Sequence, residues 1–273
     1  MASNIDTEQE KLQQERPEQN KPQPLPDKIP PDEIPVSDTP ASEIPDQIID
    51  EQSAQLKPIY FVSGLGADER VFQWLRYEGF RPVHIQWLAP QRAEPIEDYA
   101  KRLTAQIKDD NPIVVGLSFG GIVAVEIAKQ ITTEKVILLS SVKETSEIPF
   151  YFKLFRALPL HRIVPFKHLL WAVYWLAYWL FGPGDAEKKQ LLKTILIETD
   201  PVFLKWALHR VVVWKNKEVP DNLVHIHGRG DRIFPFRFVS PNYTVEGGSH
   251  LMVMNRAAEI STLLETLIIQ PSR

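Results

Sequence analysis

The chain has 273 residues, with 35 acidic and 31 basic side chains and a formal net charge of −4, a balance that gives no electrostatic case for a nucleic-acid partner. It contains no cysteine, which excludes disulfides, thiolate catalysis and cysteine-bound metals. The charge is uneven: residues 1–55 hold 13 acidic and four basic residues and nine of the 23 prolines, with no glycine or aromatic residue among them.

A segment of that composition cannot bury enough apolar surface to offset its ordering entropy, so residues 1–55 are expected to be a disordered, acidic, Pro-rich tail. Within it Glu33-Ile34-Pro35 and Glu43-Ile44-Pro45 repeat at a proline spacing that favours extended conformations. A solvated spacer and a docking motif both fit that pattern. The opening residues, Met1 to Asp6, carry neither a basic n-region nor an apolar h-region, and Ala2 does not fit the myristoylation pattern. A cytoplasmic location is the expectation. The remaining chain holds 27 basic and 22 acidic residues, too mild an excess to argue for nucleic acid.

From residue 57 onward, strand-like runs alternate with helical ones. The runs are Ile59 to Val62, Pro82 to Trp87, Ile113 to Leu117, Val136 to Ser140, Leu223 to His227 and Tyr243 to Glu246. Their spacing predicts a parallel sheet of about six strands with helices between them. Pro95 to Ile107 carries Ile96, Tyr99, Ala100, Leu103 and Ile107 at helical spacing and opens on a proline. Gly121 to Ile131 and roughly Asn255 to Ile268 read as further helices.

The alternation stops between Ser141 and Pro220, where a long and mainly helical segment intervenes. Its centre, Leu169 to Phe181, is 13 residues without a charge and holds three of the seven tryptophans. It is too short for a spanning helix, which needs about 20 apolar residues. Three readings fit: a buried helix lining an apolar pocket with Trp171, Trp175 and Tyr178, an interfacial segment touching a membrane, and a dimer face. The oligomeric state is left open.

Gly116-Leu117-Ser118-Phe119-Gly120 lies between the third apolar run and the helix after it. A strand, a sharp turn of small residues and a helix form an elbow that exposes a serine hydroxyl at the carboxyl end of a parallel sheet. Such a hydroxyl needs a base and an acid. His227-Gly228-Arg229-Gly230-Asp231 ends the fifth run in a Gly-rich loop, and Gly247-Gly248-Ser249-His250 follows the sixth. The chain order Ser118, Asp231, His250 is the order used by one of the three common triad folds. An oxyanion also needs backbone donors, and Phe119 and Leu65, the latter in Ser63-Gly64-Leu65-Gly66 after the first run, stand where two such amides are needed.

On GLSFGG, HGRGD and GGSH in that order, the chain from about residue 57 to 271 resembles the α/β-hydrolase superfamily. Ser63-Gly64 stands where many members carry His-Gly. The resemblance implies an α/β-hydrolase fold, with a core of residues 56–142 and 218–273, a helical cap insertion at 143–217, and a sheet trimmed of its first two strands. Glu144, Glu147 and Asp221 are alternative acids. His225 and His227 alternate on one strand face but lack a third ligand at metal spacing, so no metal and no cofactor are expected. The activity implied is hydrolysis of a carboxylic ester or thioester with an apolar acyl group. Acyl transfer or carbon–carbon bond hydrolysis on the same triad, and ligand binding without chemistry, are the alternatives.

Overall fold

The computed structural model describes residues 56–152 and 186–269. The expected tail and the aromatic stretch from Leu169 to Phe181 lie outside the described residues. Six strands, β1 (Lys57–Val62), β2 (Phe80–Ile85), β3 (Ile113–Leu117), β4 (Lys135–Leu139), β5 (Leu223–Gly228) and β6 (Tyr243–Val245), form one sheet in the order β2-β1-β3-β4-β5-β6. Every neighbouring pair is parallel.

The order reverses once. From β1 the chain steps outward to β2, returns to β3 on the other side of β1, and then proceeds strand by strand to β6. The carboxyl ends of β1 and β3 therefore flank the topological switch point, the crevice where open α/β sheets bind ligands. The register sets Val62 of β1 beside Gly116 of β3, which brings the two loops that follow these strands side by side.

Alternation along the central strands sends apolar side chains to both faces, as a sheet covered on both sides requires. Tyr60, Val62, Val114, Val136 and Leu138 face one core with α1 (Ile96–Leu103) and α2 (Phe119–Ala128). Ile59, Phe61, Ile113, Val115, Ile137 and Leu139 face the other, with α6 (Ala257–Ile269), which follows the short α5 (Met252–Asn255). Helix α1 is amphipathic, burying Ile96, Tyr99, Ala100 and Leu103, whereas α2 buries every residue from Phe119 to Ile127.

Three boundaries differ from the sequence reading for identifiable reasons. Strand β2 starts before Pro82 because it is an edge strand, where a residue without an N–H costs no ladder hydrogen bond. Helix α1 stops at Leu103 and tightens into a 3₁₀ turn at Thr104–Gln106, with the Ile107 amide donating to the Thr104 carbonyl. Helix α2 begins at Phe119, two residues early, because Ser118 alone makes the turn.

Between β4 and β5 lie the helices α3 (Ala186–Glu198) and α4 (Pro201–Val213). Asp200 caps α4 by accepting from the Val202 amide at 2.9 Å, and Pro201 occupies its first turn. Indole nitrogens hold the α4 region to the core. Trp206 Nε1 donates to the Glu94 carbonyl at 2.9 Å and Trp214 Nε1 to Glu126 Oε1 at 2.7 Å. The Trp206 ring also lies 4.3 Å from that of Tyr99.

Candidate active site

At the end of β3 the backbone reverses within one residue, and Ser118 takes φ 54° and ψ −118°. A non-glycine residue there carries strain that its surroundings must hold in place. Here the Ser118 amide donates to the Leu139 carbonyl at 2.9 Å, and the Ser118 carbonyl accepts from Ser141 Oγ at 2.6 Å and from the Gly121 amide at 2.9 Å. The turn is also crowded from β1: a Cβ on Gly120 would stand 2.2 Å from the Ser63 carbonyl oxygen. Only glycine fits there.

His250 follows β6 and is 2 % exposed. Its Nε2 lies 2.8 Å from Ser118 Oγ and its Nδ1 lies 2.8 Å from Asp231 Oδ2. An ionised carboxylate only accepts, so Nδ1 carries the proton and Nε2 is left bare toward the serine hydroxyl. The other oxygen, Asp231 Oδ1, accepts from the Ile233 amide at 2.8 Å and the Phe234 amide at 2.9 Å. Burial pushes the Asp231 carboxyl up. The His250 charge and hydrogen bond, the His227 charge and the Phe234 amide outweigh it and hold the group below its ordinary value. The Gly230 amide donates to the Gly248 carbonyl at 2.9 Å, which fixes the aspartate loop to the histidine loop.

The alternative acids lie elsewhere. Glu147 is buried and accepts from the Lys143 and Ser240 amides, and Glu144 accepts from Ser146 Oγ at 2.7 Å. Asp221 is exposed before β5.

The loop after β1 closes with the Ala67 amide donating to the Gly64 carbonyl at 3.0 Å, and Gly66 takes φ 70° at the third position, the signature of a type II turn. In such a turn the second residue's amide is not used by the turn itself. That residue is Leu65. Phe119, as the first residue of α2, likewise has an amide without an intrahelical acceptor. Both residues border one cavity with Ser118 and His250.

That cavity has a volume of about 410 Å³. Its apolar wall includes Leu192, Ile195 and Leu196 of α3, Leu208 of α4, and Phe152 and Phe234. Trp171, Trp175 and Tyr178, the expected pocket residues, lie outside the described residues. The sequence reading passed over the α3 contribution, although Leu192, Ile195 and Leu196 stand at i, i+3 and i+4, the spacing of one helical face.

His225 and His227 are fully buried behind the aspartate. His225 Nε2 lies 3.1 Å from His227 Nδ1, and His227 Nε2 lies 2.8 Å from the Phe234 carbonyl and 3.4 Å from Asp231 Oδ2. The two rings bond to each other, and no group of three metal-ligating side chains occurs among the described residues. Burial lowers the pKa of both, that of His225 the further. A histidine whose folded pKa is depressed contributes stability above its unfolded value, about 6.5, and loses it as the pH falls toward the folded one. The melting temperature of the protein should therefore drop as the pH is lowered below about 6.5, and the slope should shrink in His225→Leu, measured by calorimetry across that range.

A family model described as the alpha/beta hydrolase family matches residues 59–262. The chain belongs to the alpha/beta hydrolase family. Several solved structures share its fold at low identity. A bromoperoxidase from Bacillus anthracis is 17% identical, with 79% of this chain and 92% of that one covered and a TM-score of 0.61. An enol-lactonase from Burkholderia xenovorans LB400 is also 17% identical, with the same coverages and a TM-score of 0.60. An esterase from Exiguobacterium antarcticum is 15% identical, with 78% and 92% covered and a TM-score of 0.59. No curated protein matches the chain by sequence. Among the described residues no helix is long and apolar enough to cross a membrane.

Proposed function

We propose that this alpha/beta hydrolase family member is a serine hydrolase that cleaves carboxylic esters or thioesters of apolar acyl groups through an acyl-enzyme. The observation that carries the reading is the unbroken contact from Ser118 Oγ to His250 to Asp231, at 2.8 Å for each step, on the border of an apolar cavity. His250 Nε2 takes the hydroxyl proton as Ser118 Oγ attacks the acyl carbon, and Asp231 stabilises the imidazolium that forms. The amides of Leu65 and Phe119 receive the oxyanion. His250 then protonates the departing alkoxide or thiolate, and a water activated by the same nitrogen hydrolyses the acyl-enzyme.

On this reading the core, residues 56–142 and 218–273, supplies the chemistry, and the insertion, 143–217, supplies acyl selectivity through α3 and α4. No cofactor takes part. Each methylene buried in such a cavity contributes about 0.8 kcal/mol, up to about fourfold in rate constant. Catalytic efficiency on p-nitrophenyl esters should therefore rise from acetate to octanoate. Leu192→Trp, which fills part of the cavity, should cut turnover of octanoate while sparing acetate. Equal chain-length profiles for the two proteins would remove the α3 face from substrate recognition.

A further inference from the structure

The oxyanion turn is held from three directions, and one of them is the inserted helical pair. From within the loop, Ser63 Oγ donates to the Ala67 carbonyl at 2.7 Å. From beyond β2, Trp87 Nε1 donates to the same carbonyl at 2.9 Å. The third contact comes from Thr199, in the two-residue joint between α3 and α4, whose Oγ1 lies 2.7 Å from the Gly66 carbonyl.

Thr199 Oγ1 also lies 2.7 Å from the Ile195 carbonyl of its own helix. A hydroxyl has one proton, so it donates to one carbonyl at a time. The Ile195 carbonyl already accepts from the Thr199 amide at 3.0 Å, which leaves the Gly66 carbonyl as the acceptor in greater need. The approach is close: a Cβ on Gly66 would stand 2.9 Å from Thr199 Oγ1. A second tie lies beside it, since the Arg70 guanidinium bridges Asp68, just past the turn, and Glu198, the last residue of α3.

We infer that Thr199 is a positioning residue that couples the inserted helices to the oxyanion turn. Donation to the Gly66 carbonyl fixes the peptide plane that follows Gly66, and with it the orientation of the turn that presents the Leu65 amide. Rotation of the hydroxyl to Ile195 releases the Gly66 carbonyl and leaves the turn to the Ser63 and Trp87 contacts at Ala67, so displacement of the α3–α4 joint loosens the donor. The Thr199 hydroxyl is directed at the Gly66 and Ile195 carbonyls and not at the reacting hydroxyl of Ser118. Its effect should fall on a charge that exists only in the transition state, and hence on kcat rather than KM.

The inference rests on the serine-hydrolase reading, and the experiment separates the two. The full chain, Thr199→Val, Thr199→Ser and Ser118→Ala would be compared for turnover of p-nitrophenyl octanoate, melting temperature and hydrogen exchange of the peptide covering residues 63–68. Thr199→Val keeps the shape and removes the donor. Loss of an entire oxyanion donor costs about 10²–10³ in kcat, and loosening one should cost less, about tenfold. The expected result is that loss in kcat for Thr199→Val with KM within about twofold, faster exchange in the 63–68 peptide, and recovery of both by Thr199→Ser. Wild-type kcat in Thr199→Val, or unchanged exchange, would overturn the inference. So would parallel losses in the Val and Ser variants that track melting temperature. Undiminished turnover by Ser118→Ala would instead overturn the nucleophile assignment, and the exchange data would still decide whether Thr199 holds the turn.

Discussion

Ser118→Ala is expected to lower ester turnover by on the order of 10⁶-fold, the scale seen when a triad nucleophile is removed. The reason is local. His250 Nε2 stands 2.8 Å from Ser118 Oγ and Asp231 holds its other nitrogen, so loss of the hydroxyl leaves a base with nothing to deprotonate but water. The fold should survive, because the contacts that hold the elbow, from the Leu139 carbonyl and from Ser141 Oγ, reach the Ser118 backbone and not its side chain. Initial rates on p-nitrophenyl octanoate, with melting temperature as the control, check both parts.

Asp231→Asn should be nearly as damaging, with a loss of about 10⁴-fold in kcat near neutral pH. Its direction follows from the hydrogen bonds of the Asp231 carboxylate. Two backbone amides, those of Ile233 and Phe234, donate to Oδ1, so an asparagine must turn its carbonyl oxygen toward them and its NH₂ toward His250. That NH₂ donates to Nδ1 and forces the proton onto Nε2, where it faces Ser118 Oγ as a donor instead of an acceptor. Glu144→Gln is the matching control. Its carboxylate serves Ser146 Oγ, and the variant should stay within about twofold of wild type. The opposite ranking of these two variants in steady-state kinetics would place the acid after β4.

The elements that position the site were the most legible ones. Strand β3 is five apolar-compatible residues buried on both faces, and glycines flank the serine because the first turn of α2 presses on Gly116 and the end of β1 presses on Gly120. That demand for small residues is what makes the elbow visible in a single sequence. Asp231 and His250 could be proposed because each follows a strand run and a glycine. Side-chain contacts between distant segments carry no such local mark. Thr199 reads as an ordinary residue before a helix cap, and nothing near it in sequence points to Gly66, 133 positions away. His225 and His227 showed their shared face by alternation, but the contact of His227 with the loop that carries Asp231 depends on how that loop folds back over β5. The apolar wall from α3 was readable in principle and was masked by the richer aromatic run that precedes it.

Covalent labelling tests most directly whether Ser118 is a nucleophile activated by His250. The full chain would be treated with a fluorophosphonate, its intact mass recorded and the modified peptide sequenced. A single adduct on Ser118, formed at neutral pH and lost in Ser118→Ala, is the predicted result. No adduct on the wild-type protein, or an adduct that persists in Ser118→Ala, would contradict it.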